Sequence, residues 1–178
     1  MKRLILVASL VTFGVQAFAQ KEYVCSPCGY KCDSEIHTKP GTCAACNMKL
    51  VDKSSIKFKN LSVEEFAQRI KANPTALVLD VRSPEEFKGT TAEMPSFGHF
   101  KNAININVTE LESRMSELSK YKDKEVLVYC SHSHRSPRAS YILNTNGFKN
   151  VSNMSGGVST ILDKQSTLMS KVFVPHSH

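Results

Sequence analysis

One stretch decides how this 178-residue chain is interpreted, and it reads Val126-Leu127-Val128-Tyr129-Cys130-Ser131-His132-Ser133-His134-Arg135-Ser136-Pro137. Its apolar run ends abruptly at Cys130, and a short polar segment then closes on Arg135. Ser136 followed by Pro137 is typical of a helix start, because serine is a favoured N-cap and proline favours the first helical position. The stretch therefore predicts a buried strand that delivers a thiol into a tight loop at a helix N-terminus.

The surrounding segments alternate between helix-like and strand-like patterns. Three capping boxes, each with a hydroxyl three residues before a glutamate, predict helix starts at residues 62–65, 83–86 and 109–112. Short apolar runs predict strands at residues 76–79, 103–108, 126–129 and 151–154. This alternation predicts an α/β domain with a doubly wound parallel sheet. Ligands of such sheets bind beyond the carboxyl ends of the strands, where Asp80 and Cys130 both lie.

The loop from Cys130 to Arg135 has the features that stabilise a sulfur anion. A helix N-terminus and a nearby cation lower a thiol pKa from about 8.5 to roughly 3.5–7.5. The helix predicted from Ser136 would point its positive end at the loop, and successive backbone N–H groups would form an anion nest. Arg135 supplies a permanent positive charge, and His132 and His134 would add charge when protonated. We therefore predict that Cys130 is a nucleophile.

The other five cysteines lie between Cys25 and Cys46, away from Cys130. Cys25 and Cys28 form one Cys-x-x-Cys pair and Cys43 and Cys46 a second, a spacing typical of zinc ribbons. Four thiolates suit the tetrahedral shell of zinc, and so short a segment needs a metal or crosslink to fold. These four cysteines are the predicted ligands, with Cys32 as an alternative. Disulfides remain the competing interpretation, although five cysteines would leave one unpaired.

Gly29 and Asn47 each follow one of the two Cys-x-x-Cys pairs. Both residue types tolerate the left-handed backbone that a metal-binding knuckle requires, so we expect positive φ at these two positions.

The chain begins with a pattern typical of a secretory signal peptide. A basic start at Lys2 and Arg3 precedes an apolar run over residues 4–15 and an Ala-x-Ala ending at Ala19. The run is shorter than the roughly 20 residues that span a bilayer. We therefore expect cleavage after Ala19 and a periplasmic or secreted protein without a stable membrane anchor. A retained N-terminal anchor is the alternative.

Charge and length limit the remaining interpretations. The net charge of +7 is spread along the chain without a basic block, so no nucleic-acid partner is expected. The predicted organisation is a signal peptide over residues 1–19, a Cys-rich zinc-ribbon-like module over 20–53, an α/β domain over 54–165 and a patternless tail over 166–178.

The Cys-rich module resembles the heavy-metal-binding domain of bacterial metal-efflux proteins. The matching residues are Tyr23, Cys25, Pro40, Gly41, Cys43, Cys46, Met48 and Leu50. The Met-His pair of that family is absent, and Pro27 and Cys28 stand in its place. This departure favours a closed structural zinc site over a copper or silver site.

The α/β domain resembles the rhodanese family in four blocks that occur in the family's order. The blocks are residues 79–87 (Leu-Asp-Val-Arg-Ser-Pro-Glu-Glu-Phe), 98–106, 126–136 and 156–158 (Gly-Gly-Val). The resemblance implies a rhodanese-like fold and a sulfurtransferase reaction. A donor such as thiosulfate would convert Cys130 into a persulfide, which would pass its sulfur to cyanide, a small thiol or a thiol-bearing protein.

The resemblance also implies roles for single residues. Cys130 and Arg135 would be catalytic, and Asp80 would support them by orienting Arg135 or the loop, while Arg82 is expected to pair on the surface. The expected substrate-binding loop residues are Ser131, His132, Ser133, His134 and Ser136. From Cys130 through Arg135 the loop has six residues, as in sulfur-transferring members, whereas phosphatase and arsenate-reductase relatives resemble a seven-residue version.

Two features depart from the family. Ser133 stands where the family commonly has glycine, and serine tolerates positive φ poorly. Residues 88–97 are longer than the usual connection and are interpreted either as a lid or as a tolerated insertion. The alternative function is that of a non-catalytic metal-binding protein, which carries persulfide or docks a partner.

Overall fold

The computed structural model of the chain describes residues 20–91, 97–162 and 166–176. The predicted signal peptide, residues 92–96 of the 88–97 connection, residues 163–165 and the last two residues lie outside these ranges. No helix within the described ranges is both long and apolar enough to cross a membrane.

A five-stranded parallel sheet forms the centre of the α/β domain. Its strands are β3 (Lys59–Leu61), β4 (Leu77–Asp80), β6 (Ile104–Asn105), β7 (Glu125–Tyr129) and β8 (Asn150–Met154). They lie in the order β3-β8-β7-β4-β6, and every neighbouring pair is parallel. The predicted α/β class is confirmed. The first strand, β3, was not predicted because its polar sequence Lys-Asn-Leu carries no apolar pattern.

Helices cover both faces of this sheet. Alternate side chains of β7 enter two separate cores, with Val126 and Val128 on one face and Leu127 and Tyr129 on the other. On the first face lies α3 (Arg135–Thr145), and on the second lie α1 (Val63–Ala72) and α4 (Met169–Val172). Burial on both faces explains the continuous apolar runs of residues 77–79 in β4 and 126–129 in β7.

Two of the three predicted capping boxes form as expected. Ser62 caps α1, and Ser83 caps the short helix α2 (Pro84–Lys88), each in a reciprocal arrangement with the glutamate three residues later. The third prediction is wrong. Residues 109–114 form turns, followed by a 3-10 helix over Met115–Tyr121. Here the Thr109 backbone N–H and hydroxyl both donate to Asn107 Oδ1, so an asparagine turn replaces the threonine cap.

The predicted start of α3 also requires correction. The helix begins at Arg135, and its N-cap is His134, which provides no side-chain capping bond. Ser136 therefore lies inside the first turn and is fully buried rather than capping from outside. This position turns its hydroxyl towards the preceding loop.

The Cys-rich segment contains its own small antiparallel sheet of β1 (Tyr23–Cys25) and β2 (Leu50–Asp52). A 3-10 helix over Lys31–Ser34 follows the first cysteine pair. The left-handed backbone expected at Gly29 and Asn47 is confirmed, with φ angles of 77° and 57°. The division between this segment and the α/β domain at residue 53 stays a prediction.

The chain end is not the patternless tail that was expected. Met169, Val172 and Phe173 are buried in the second core, and β9 (Phe173–Val174) pairs with β5 (His99–Phe100). A four-residue helix and a two-residue strand are too short to produce a sequence period, so the pattern could not reveal them. His176 follows this strand, and its Nε2 lies 3.0 Å from Nδ1 of His99.

Candidate functional site

The loop from Cys130 to Arg135, called the Cys130 loop below, lies at the carboxyl end of the central strand β7. Backbone N–H groups of Val158 and Ser159 donate to the carbonyls of Cys130 and Ser131 at 2.9 and 3.0 Å. A Cβ at Gly157 would overlap the Ser131 carbonyl, so only glycine permits this close backbone approach. The double-glycine block therefore fixes the direction of the loop carbonyls.

The opposite side of the loop backbone offers donors to a ligand. Within the described part of the chain, no protein group accepts from the backbone N–H groups of residues 131–134. These groups precede the first turn of α3, whose own first N–H groups also lack helical partners. Cys130 Sγ lies 3.3 Å from the Ser136 hydroxyl and is buried, with 1% of the residue exposed. The loop thus places a buried thiol beside an O–H donor in a stretch that also carries backbone N–H donors, which suits an anionic sulfur.

Glu86 fixes the arginine that closes the loop. Arg135 donates from Nη1 and Nη2 to the two carboxylate oxygens of Glu86 at 2.6 and 2.7 Å. The Ser131 hydroxyl donates to the same carboxylate at 2.8 Å, and Arg135 Nη2 also reaches that hydroxyl. Two parallel N–H···O bonds set the plane of the guanidinium, so Arg135 is held in one orientation. Sequence reasoning identified Glu86 only as a capping residue.

The charge state of this pair is well defined. Burial opposes ionisation of Glu86, but the bonds from Arg135, the Ser83 N–H and Ser131 outweigh it and lower its pKa to about 2. Glu86 in turn is the largest cause that raises the pKa of Arg135, and the sulfur of Cys130 adds to it. Arg135 therefore stays charged beside the thiol over the whole physiological range.

The expectation that Arg82 pairs on the surface is wrong, and among the described residues the Asp80 carboxylate accepts from Arg82 rather than from Arg135. The two residues pair with each other, with Arg82 Nη2 at 2.6 Å from Asp80 Oδ2 and both side chains almost fully buried. Arg82 also donates to the Gly98 carbonyl and lies over the Tyr129 ring. The pair thus lies at the end of β4 and against Tyr129, the residue that precedes Cys130.

Ser133 adopts the left-handed backbone that makes glycine common at this position in the family. Its φ is 59°, a conformation that costs an L-residue about 1–2 kcal/mol. Its hydroxyl donates to the Met154 carbonyl at 3.3 Å and lies 3.4 Å from Nδ2 of Asn153. The side chain thereby gains bonds that a glycine would lack, which offset part of the strain.

The two loop histidines are exposed at the mouth of the loop, and each contacts one aromatic ring. The His132 ring packs edge-on against Phe97, with ring centroids 5.5 Å apart. The His134 ring stacks on Tyr30 at 4.5 Å with an interplanar angle of 21°. Phe97 ends the long 88–97 connection, and Tyr30 belongs to the Cys-rich segment. The connection and the Cys-rich segment therefore both contact the Cys130 loop.

The five N-terminal thiols gather into one cluster, named here the cysteine cluster. The four whose sulfurs all lie within 4.8 Å of one another are Cys25, Cys32, Cys43 and Cys46. The structure thus brings the alternative ligand Cys32 into the position that was assigned to Cys28. A second group joins Cys28 to Cys25, Cys32 and the carboxylate of Asp33. All five cysteines are free thiols.

The geometry and electrostatics of the cluster fit a metal ion. Several sulfur–sulfur distances lie between 3.2 and 4.0 Å, whereas a tetrahedral site with bonds of about 2.3 Å separates its sulfurs by about 3.8 Å. Burial is the largest cause that raises the pKa of Cys25 and of Cys28. The Met48 N–H and then Cys25 lower the pKa of Cys46 to about 7. A bound cation would stabilise the thiolate form of the buried cysteines whose pKa is raised, so the cluster could hold a metal ion.

Replacing Glu86 by glutamine should destabilise the protein in a pH-dependent way. Because the pKa falls from 4.5 to about 2 on folding, the stabilisation is complete above about pH 4.5 and is lost as pH falls towards 2. We expect Glu86→Gln to lower the free energy of unfolding at pH 7 by roughly 2–3 kcal/mol, measured by urea denaturation. The difference from wild type should shrink below pH 4.

The matched control is Glu117→Gln, which removes an exposed carboxylate that also pairs with an arginine, Arg114. This variant should change stability little at any pH, since exposed pairs contribute little. An equal loss for Glu86→Gln at pH 7 and pH 3 would contradict the assigned pairing.

Comparison with known proteins gives similarity over the α/β domain. An uncharacterized protein of Bacillus subtilis strain 168, YqhL, is 37% identical over 100 residues, which cover 56% of this chain and 69% of YqhL. A tRNA uridine(34) hydroxylase of Cytophaga hutchinsonii is 33% identical over 115 residues. The match covers 63% of this chain but 34% of the hydroxylase, so the chain spans about a third of that relative's length.

Solved structures agree on the fold. A rhodanese-like domain protein from Staphylococcus aureus superposes with a TM-score of 0.50 over 67% of this chain and all of that protein, at 19% identity. A comparison with protein families matches residues 62–164 to the family described as Rhodanese-like domain. The matched range is more than half of the chain and contains four of the five sheet strands, Glu86 and the whole Cys130 loop. The chain therefore belongs to the Rhodanese-like domain family.

Proposed function

We propose that the protein is a sulfurtransferase that carries sulfane sulfur as a persulfide on Cys130. The observation that supports this most directly is the Cys130 loop itself. Its thiol lies beside the Ser136 hydroxyl and an arginine fixed by Glu86, and its backbone N–H groups have no protein acceptor among the residues that the structure describes. Membership of the rhodanese-like family agrees with this chemistry. Thiosulfate is the donor we propose, because its terminal sulfur is small and its sulfonate is anionic.

In the first step the Cys130 thiolate attacks the outer sulfur of thiosulfate. The new bond joins Cys130 Sγ to that sulfur, and the bond to the sulfonate sulfur breaks with its electron pair, which releases sulfite. Negative charge moves from the Cys130 sulfur to the added sulfur and to the departing sulfite. Fixed N–H groups and Arg135 stabilise these charges without reorganising, which is the usual source of electrostatic catalysis.

In the second step a nucleophilic acceptor attacks the terminal sulfur of the persulfide. Cyanide would leave as thiocyanate, and a thiol would leave as a new persulfide, while Cys130 returns to the thiolate in both cases. The Ser136 hydroxyl, 3.3 Å from Cys130 Sγ, can donate to the sulfur that receives the charge. The acceptors we propose are small thiophilic anions and accessible protein thiols.

The hydroxylase activity named for one relative is not what we propose for this chain. The similarity to that protein covers about a third of its length. The alternative of a persulfide carrier without turnover shares the first step above and lacks only the second. Steady-state turnover therefore separates it from the proposed enzyme.

We also propose that the cysteine cluster holds zinc as a structural ion. Four thiolates at tetrahedral spacing suit zinc, and the missing Met-His pair argues against a copper-type site. The small buried cluster of the Cys-rich segment contains four cysteines and Leu50, so it gives little apolar stabilisation. Zinc binding would supply the free energy that this core lacks.

Turnover of thiosulfate and cyanide to sulfite and thiocyanate tests the proposed reaction. Cys130→Ser should lower the rate to the uncatalysed background because the nucleophile is gone. Arg135→Lys should lower kcat/KM for thiosulfate by about a hundredfold, since a lysine cannot reproduce the two-bond contact that keeps the cation in place. Arg138→Lys, an exposed position on the same helix, is the matched control and should match wild type. Turnover that persists in Cys130→Ser would exclude the proposed mechanism.

Metal analysis of the purified chain tests the zinc proposal. We expect one zinc ion per chain, retained through dialysis by wild type and by Cys130→Ser. Cys32→Ser should lose the ion more readily than Cys28→Ser, because Cys32 belongs to the four-sulfur group and Cys28 does not. A chain that copurifies with disulfides and no metal, or with copper in preference to zinc, would contradict the proposal.

Export is proposed from the sequence of the first 19 residues, which carry a basic start, an apolar run and an Ala-x-Ala ending. N-terminal sequencing of the protein from its native host should begin at Gln20. Recovery of the chain from the cytoplasm with its first residues intact would contradict export.

A further inference from the structure

The two residues that follow the first cysteine pair of the Cys-rich segment, Gly29 and Tyr30, contact the Cys130 loop directly. Three cluster cysteines, Cys25, Cys28 and Cys32, lie on one short stretch of chain, and Gly29 and Tyr30 form its tip. This stretch, residues 25–32, is called the knuckle below. Its tip faces the fourth and fifth residues of the Cys130 loop, Ser133 and His134.

Gly29 makes the closest contact. A Cβ at this position would overlap the Ser133 carbonyl oxygen and would lie 2.8 Å from the His134 Cα, so the two backbones meet without an intervening side chain. The φ of Gly29 is 77°. Its conformation is held from inside the segment, since the Asp33 carboxylate accepts from the backbone N–H groups of both Cys28 and Gly29.

Tyr30 makes the second contact through its ring. The ring is 59% exposed, yet it stacks on His134 with centroids 4.5 Å apart and an interplanar angle of 21°. Such pairs contribute beyond their buried area and have a defined geometry. His134 is also the N-cap residue of α3, so the stack acts on the junction between loop and helix.

The knuckle can hold this position only if its own conformation is fixed. Its buried residues are mainly the cysteines themselves, which form a cluster with Leu50. Segments with so little apolar core take their folding free energy from the metal that they bind. Metal in the cysteine cluster and the position of Tyr30 at the Cys130 loop should therefore be energetically linked, and linkage of this kind is reciprocal.

We propose that Tyr30 is a positioning residue for the Cys130 loop, and that metal in the cysteine cluster holds it against His134. In the docked state the loop is closed around Cys130 and its N–H groups converge on one point. Without metal, or without the Tyr30 ring, the loop opens more often. A neutral reagent then reaches the thiol faster, whereas an anionic donor such as thiosulfate reacts more slowly because the donors no longer converge.

The significance of this contact for catalysis depends on the proposed sulfur transfer, but its existence can be tested independently. The rate of Cys130 alkylation by iodoacetamide, followed by mass spectrometry of the peptide that contains Cys130, needs no enzymatic activity. It should be measured on the full chain with zinc bound and after zinc removal by a chelator. Thiosulfate turnover is measured on the same samples.

In wild type, zinc removal should speed Cys130 alkylation by about three- to tenfold, the change expected from loss of one aromatic stack. Tyr30→Ala with zinc bound should show a similar increase, and zinc removal should then add much less. Tyr30→Phe should behave as wild type, because the stack uses the ring and not the hydroxyl. Ile36→Ala is the matched control, since Ile36 is comparably exposed in the same segment at 55%.

The proposal is overturned if zinc removal leaves the wild-type alkylation rate unchanged, or if Tyr30→Ala responds to zinc as fully as wild type. A fast rate in Tyr30→Phe would also overturn it. Absence of thiosulfate turnover in every sample, together with zinc-dependent alkylation, would refute the sulfur-transfer function and leave the linkage intact.

Discussion

The two-bond contact between Arg135 and Glu86 is the interaction on which the site depends. One carboxylate accepts from the cap of α2, from the Ser131 hydroxyl and from both terminal nitrogens of Arg135. Three separate segments, α2, the Cys130 loop and the first turn of α3, are therefore fixed relative to one another by a single buried acid. Because Glu86 is buried, loss of one partner would leave the other without its opposite charge, so the geometry is strongly maintained.

Around this contact the loop backbone is confined from two sides. Gly157 lies against the Cys130 and Ser131 carbonyls, and Gly29 of the Cys-rich segment lies against the Ser133 carbonyl. With the carbonyls thus occupied, the N–H groups are left for an anion. Ser133 takes a left-handed conformation in the same stretch, and its hydroxyl bond to Met154 offsets part of the strain. The loop is thereby preorganised by packing from both the α/β domain and the N-terminal segment.

The sequence was sufficient for the features that depend on local pattern. The apolar run before Cys130, the capping boxes at Ser62 and Ser83, and the left-handed knuckle positions Gly29 and Asn47 all follow from rules that act over a few residues. The class of the fold followed from the alternation of such elements. The strand β3 and the short elements at the chain end did not, because their structure depends on what packs against them. The helix start at Thr109 failed for a local reason, since Asn107 Oδ1 accepts from the threonine N–H and hydroxyl.

The sequence pattern did not predict which side chains of the site pair with one another. Glu86 already had a complete local explanation as a capping residue, so nothing indicated that it also holds Arg135, 49 residues away. Asp80 and Arg82 carry opposite charges two residues apart, but the sequence did not show that both are buried. Burial is what makes each the ion-pair partner of the other. Spacing likewise could not decide between Cys28 and Cys32, since both belong to the same knuckle and their sulfurs differ only in three-dimensional position.

The central claim is that Cys130 is a thiol that accepts sulfane sulfur within this preorganised loop. The most direct test is the mass of the peptide containing Cys130 after the purified chain has been incubated with thiosulfate in the absence of reductant. The predicted result is a gain of one sulfur atom on that peptide, reversed by cyanide. An unchanged mass for the Cys130 peptide, or sulfur found only on peptides of the cysteine cluster, would contradict the claim.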